Sequence, residues 1–142
     1  MKQLNQVLTA AFSSNFALYY ISHVAHVNVV GRNFQSDHAL FAGIYEDLQD
    51  QIDVYAEFLR TIDGFMPFSL KSVVKDSVVS VGIDKDCDFI ACLLKENKAM
   101  IDCLELLYEE AEKANELGLS NYVQDRLAAH RKFAWMLKAS LA

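Results

Sequence analysis

Apolar residues recur at helical spacing along almost the whole chain, and very little interrupts them. Pro67 is the only proline and there are five glycines among 142 residues. Such scarcity of breakers favours long helices over a sheet protein with many turns. Leu4, Val7, Leu8, Ala11 and Phe12, continued by Phe16, Tyr19, Tyr20 and Val24, predict a first long helix from about residue 3 to 30, ending before Gly31. A second begins near Ser36 or Asp37 and runs to about Ile62, with Leu40, Phe41, Ile44, Leu48, Ile52, Tyr55, Phe58 and Leu59 on its apolar face and Gly64 ending it. A third spans about Asp86 to Leu117 and is stopped by Gly118. A fourth, capped by Ser120 or Asn121, reaches about Ser140. Between the second and third, Gly64, Pro67, Gly82 and scattered serines break the pattern, leaving room for a short helical piece from Leu70 to Asp76. The expected fold is all-α: a four-helix bundle whose two antiparallel pairs are joined by one long crossover.

Length and charge narrow the class further. The chain is the size of one domain, residues 1–142, and 53% of its residues are hydrophobic, enough for a sizeable core. A net charge of -6 suits metal cations better than phosphate backbones. The cysteines Cys87, Cys92 and Cys103 form no CxxC pair and cannot all pair within one chain. They read as reduced thiols in a cytoplasmic protein. The start, MKQLNQVLTAAF, looks like a helix face rather than a secretion signal, and no apolar run is long enough for a membrane span.

Four residues stand out as possible metal ligands. His26 lies near the end of the first helix and His38 in the first turns of the second, so a short turn can bring them together. Asp53 and Glu57 lie four apart on the second helix and point to one side. Fifteen residues of helix separate His38 from Asp53, roughly 22 Å at 1.5 Å per residue. No single ion bridges that gap within one straight helix. Either the histidines and acids are unrelated, or they meet across a two-fold dimer, which would create two equal sites and leave a lone subunit incomplete. Two imidazoles and two carboxylates form a mixed nitrogen and oxygen set suited to iron, although zinc or manganese would accept the same atoms. On spacing alone, Asp53 and Glu57 also fit a solvated helix face, as do Asp47 and Asp50. His23, three residues before His26, fits a packed residue, a support for a neighbouring ligand or a dimer contact.

The segment AHVNVVGRNFQSDH, residues 25–38, resembles the Dps family of mini-ferritins, the starvation-induced DNA-binding proteins. His26, Asn28, Gly31, Asn33, Phe34 and His38 stand at the spacing of the family's first motif. Asp53, Ala56 and Glu57 in DVYAEFLRTIDG match its second, and HRKFAWMLKASL, residues 130–141, looks like the end of its last helix. The resemblance implies a ferritin-like bundle with a short helix in the crossover and a hollow homo-dodecamer built from two-fold dimers. It implies that His26 and His38 of one subunit and Asp53 and Glu57 of its partner serve as both the metal ligands and the catalytic residues of a ferroxidase centre. There iron(II) would be oxidised to iron(III) by hydrogen peroxide or dioxygen at a dinuclear site, and stored in the cavity as protection against oxidative stress.

Departures from the pattern qualify this. Val27 replaces the usual tryptophan after the first histidine, Phe58 replaces a common arginine, and Ala42 stands where an acid often adds to the second iron position. The second position is therefore expected to be weaker. Lysine-rich ends are absent apart from Lys2 and Lys138, so DNA binding is expected to be weak or missing. Glu112, Glu116 and Asp125 are candidates for an acidic entry pore, although Asn121 replaces an acid found in some relatives, and each fits a solvated surface equally well. The alternative to an iron oxidase is a shell or DNA-protecting structural protein with an impaired ferroxidase site. A dinuclear centre built inside one bundle is disfavoured, because no Glu-x-x-His occurs.

Overall fold

The computed structural model describes all residues 1–142. Four long helices and one short one follow in order: α1 Lys2–Asn28, α2 Phe34–Thr61, α3 Leu70–Asp76, α4 Phe89–Lys113 and α5 Leu117–Leu141. The pairs α1/α2 and α4/α5 pack closely, α1 also lies along α4, and α3 rests against α1. This is the expected all-α four-helix bundle, with α3 in the crossover where Leu70–Asp76 was anticipated. No helix is long and apolar enough to cross a membrane.

Helix ends differ from the sequence-based expectations, and each difference has a local cause. α1 stops at Asn28 because Val29 turns extended, and Gly31 takes φ 114 in the turn. α2 starts at Phe34, ahead of Ser36 and Asp37. Ser36 donates its hydroxyl back to the Asn33 carbonyl at 3.1 Å instead of capping. α4 starts at Phe89 because Asp88 accepts hydrogen bonds from the Ile90 and Ala91 amides at 3.0 and 3.2 Å. The α4/α5 break falls at Asn115 (φ 57), with the Glu116 amide reaching the Ala111 carbonyl at 2.9 Å. Asp63 (φ 64) ends α2 in the same way, and the Gly64 amide reaches the Leu59 carbonyl at 2.8 Å. Both ends are left-handed caps of the Schellman type, made by Asp and Asn rather than the expected glycines. Gly118 and Ser120 consequently lie inside α5, and Ser120 donates to Glu112 at 2.9 Å.

The core is one continuous cluster. Leu4, Leu8, Phe12, Leu18 and Ile21 of α1 meet Phe41, Leu48, Tyr55 and Leu59 of α2, and Leu93, Met100, Leu104 and Leu107 of α4. Polar ties cross it. Asn15 donates to the Leu48 carbonyl at 3.0 Å, and Ser14 accepts from the Val78 amide at 2.9 Å, fastening the crossover to α1. Between α2 and α5, beside the Tyr122 ring packed on Tyr55 and Phe58, Arg126 grips Asp47 with two hydrogen bonds of 2.6 and 3.3 Å. His130, fully buried, continues the chain: its Nδ1 lies 2.8 Å from Asn97 Oδ1, and Asn97 donates to the His130 carbonyl at 2.8 Å.

Burial, reinforced by the Arg126 charge, pushes the His130 pKa down from 6.5 to about 3. His130 is therefore neutral when folded, whereas the unfolded chain takes up its proton near pH 6.5. Between those values the unfolded state binds more protons, so stability is full above pH 6.5 and is lost as pH falls toward 3. The loss from this one group is roughly 2–3 kcal/mol by pH 4.5. Urea unfolding at pH 7 and 4.5 will show it as a smaller pH difference in His130→Gln than in the parent. At the other cap, Asn115→Val is expected to cost about 1–2 kcal/mol because Cβ branching resists the left-handed region, while Asn115→Gly is neutral or mildly stabilising. Thermal unfolding of the two variants checks this order.

Candidate metal centre

The turn between α1 and α2 brings His26 and His38 into a reciprocal clasp. His26 Nδ1 lies 2.7 Å from the His38 carbonyl oxygen, and His38 Nδ1 lies 2.6 Å from the His26 carbonyl oxygen. A carbonyl only accepts, so both Nδ1 atoms carry protons, which leaves Nε2 as the one nitrogen of each ring able to bind a metal. The His26 carbonyl belongs to the last turn of α1, where no intrahelical amide remains to pair with it, so the clasp also caps that helix. The rings stack at 3.7 Å with 14° between their planes, and Phe34 stacks on His38 at 4.9 Å.

This geometry carries a constraint on metal binding. An ion bound at Nε2 lies close to the imidazole plane, about 2.0–2.1 Å from nitrogen. Planes only 14° apart do not meet within that reach. The two Nε2 atoms thus present themselves to neighbouring ion positions rather than converging on one.

Beyond the pair lies an aromatic ladder. Tyr45 sits 5.0 Å from the His26 ring and stacks on His23 at 4.1 Å, nearly parallel at 4°. Tyr19 OH lies 3.4 Å from His23 Nδ1. His23 is therefore a packed support for Tyr45, one of the readings its spacing allowed. Tyr45, seven residues after His38, shares its helix face, and that spacing was the available signal for it.

Asp53 and Glu57 stand exposed on α2, away from the histidines of the same chain. Within one chain no group of three or more His, Cys, Asp or Glu side chains comes together in a metal-holding arrangement. Asp47 leaves the list of candidate free acids because Arg126 occupies both its oxygens. Ala42 is half-buried and adds no ligand, Val27 is exposed, and Phe58 packs on Tyr122 at 5.1 Å. Sequence reasoning missed the Arg126–His130 tie altogether. Nothing in the spacing of those residues distinguishes a buried tie from a solvated basic face.

The ferritin-like domain family matches residues 1–142. A DNA protection during starvation protein from Brevibacillus brevis is 24% identical over 144 residues, covering 99% of this chain and 97% of that one. The Dps structure from Thermosynechococcus elongatus superposes with a TM-score of 0.94 at 21% identity, over 99% of this chain and 91% of that one. The Dps protein from Vibrio cholerae O1, described as a member of a broad superfamily of ferritin-like diiron-carboxylate proteins, gives a TM-score of 0.87 at 24% identity over 99% and 90%. The chain thus belongs to the ferritin-like family, and its bundle is the one that Dps proteins share.

Proposed function

We propose that this chain is a Dps-type subunit that assembles into a protective protein shell, and that its iron-oxidising centre is impaired. The observation that carries this reading is Ala42, half-buried on α2, which offers no ligand atom where an acid would complete the second ion position. Val27, in place of the tryptophan usual in the family, also removes an indole beside the site. Shell building is supported by the apolar surface left open on a single subunit. Tyr20, Leu70, Val74 and Val81 line an uncovered groove beside α1 and α3, and Phe68 is 89% exposed. Apolar exposure of this kind marks a protein contact. A two-fold dimer, and twelve such subunits in all, would cover it. With a net charge of -6, DNA binding should be weak or absent.

A second reading, favoured by the free Nε2 atoms of the clasp, keeps iron oxidation. Iron(II), as substrate, would be held by His26 and His38 of one subunit and by Asp53 and Glu57 of the next. In this reading the carboxylates stabilise the extra positive charge as iron(III) forms. Two iron(II) ions would each give one electron to hydrogen peroxide, which takes two protons and leaves as two waters. Dioxygen is the alternative oxidant. The imidazoles position the ions without exchanging protons, since each Nδ1–H is committed to a carbonyl. The iron(III) would then hydrolyse and be stored inside the shell.

One experiment separates the two. The apo-protein is loaded anaerobically with iron(II), given peroxide, and followed by iron(III) absorbance together with particle mass. A dodecamer oxidising at the buffer background rate is expected from the impaired centre. A fast phase that disappears in both His26→Ala and Asp53→Ala, with particle mass unchanged, would establish the shared centre instead. A chain that never assembles removes both. For the shell, Val74→Glu is expected to shift the particle to smaller species by mass photometry. Its helical circular dichroism should stay unchanged, because Val74 points away from the core of its own subunit.

A further inference from the structure

Cys87 and Cys92 are separated in sequence by four residues, but the start of α4 folds them onto each other. Asp88 is the N-cap, so Cys87 is the residue just before the cap and Cys92 is the fourth residue of the helix. In that register a capped helix packs the two flanking side chains together, the arrangement known as a hydrophobic staple. The cap here is fully formed: Asp88 receives two amides through its side chain, and the Cys92 amide closes on the Asp88 carbonyl at 2.9 Å. The Cys87 amide is held in turn by the Asp84 carbonyl at 3.2 Å. Thiols occupy the place of the staple's usual apolar pair, and Cys92 stands near enough to Cys87 to help raise its pKa. Both are free and half-buried. Cys87 also lines an open cleft of about 260 Å³ with Asn28, Asp37, Lys85 and Asp88, which gives a small polar oxidant a way in. Cys103, by contrast, is buried in the core.

We propose that Cys87 and Cys92 are a modification site, forming a reversible intrachain disulfide when the protein meets a hydroperoxide. In the first step one sulfur attacks the peroxide. The O–O bond breaks, a sulfenic acid forms and one water leaves. In the second step the other thiol attacks the sulfenic sulfur, the S–S bond forms and a second water leaves. Two sulfurs supply two electrons, and hydrogen peroxide accepts both. The new bond closes a ring over the Asp88 cap and ties the last turn of the crossover to α4. Burial, with smaller contributions from Cys92 and Asp84, raises the Cys87 pKa to about 11. Little of it is thiolate at neutral pH, so the pair answers sustained rather than brief exposure. This site is independent of the iron reading.

The test uses the whole metal-free protein with chelator present, treated with excess hydrogen peroxide, then unfolded in denaturant and alkylated. Of the three thiols, one should remain alkylatable. The peptide Asp86–Lys95, which holds both cysteines between two lysine cleavage sites, should lose two hydrogens and regain them with dithiothreitol. Cys103→Ser should keep the link, and Cys87→Ser should abolish it. The proposal fails if both thiols stay alkylatable, if the peptide gains oxygen instead of losing hydrogen, or if the link runs to Cys103 or to another chain.

Discussion

The reciprocal clasp between His26 and His38 fixes more than a pair of side chains. Each imidazole spends its Nδ1–H on the other's carbonyl, at 2.7 and 2.6 Å. One of those carbonyls is left over from the end of α1, so the bond that orients a possible ligand also completes a helix. The same two bonds hold the end of α1 against the first turns of α2. Loss of either ring would leave a carbonyl without its partner and free the other imidazole to turn. Ring orientation, tautomer and helix pairing are thus one interaction seen from three sides.

At the far side of the bundle a second polar tie does comparable work for packing. α2 and α5 meet through the Tyr122 ring on Tyr55 and Phe58, and Arg126 spans them by gripping Asp47. A buried ion pair of this kind adds little net stability beyond a well-packed apolar pair, but breaking it strands a charge. Its value lies in fixing which faces of α2 and α5 meet. The Tyr55 hydroxyl beside it has no partner, and burial pushes its pKa up to about 12. Tyr55 therefore stays a protonated core group.

The sequence made the architecture legible because apolar periodicity reports directly on helices, and their order with one long crossover leaves few bundles to choose from. Helix ends were less legible. Asp63 and Asn115 took the left-handed positions expected near Gly64 and Gly118, since short polar side chains tolerate that region and the backbone bonds that close a Schellman cap select by position, not by residue. The histidine half of the site was readable from the short turn alone. The pairing of Asp47 with Arg126 was not, because a partner 79 residues away leaves no mark on local spacing. The stacking of Tyr45 on His23 was not legible either, because the two lie on different helices and spacing within one helix says nothing of the other.

The separation of His26 and His38 from Asp53 and Glu57 then takes on a meaning beyond geometry. Roughly 22 Å of rigid helix keeps the imidazoles and carboxylates of one chain apart. A straight helix cannot relax that distance, so no motion of a single subunit closes the set. If a complete centre forms, it forms only as two chains meet, and two-fold symmetry then makes both halves at once. Chemistry on iron would in that case begin only where a shell is already being built to hold the product. If the centre stays impaired, the clasp still accounts for both histidines, because capping α1 and pairing it with α2 is work that needs no metal.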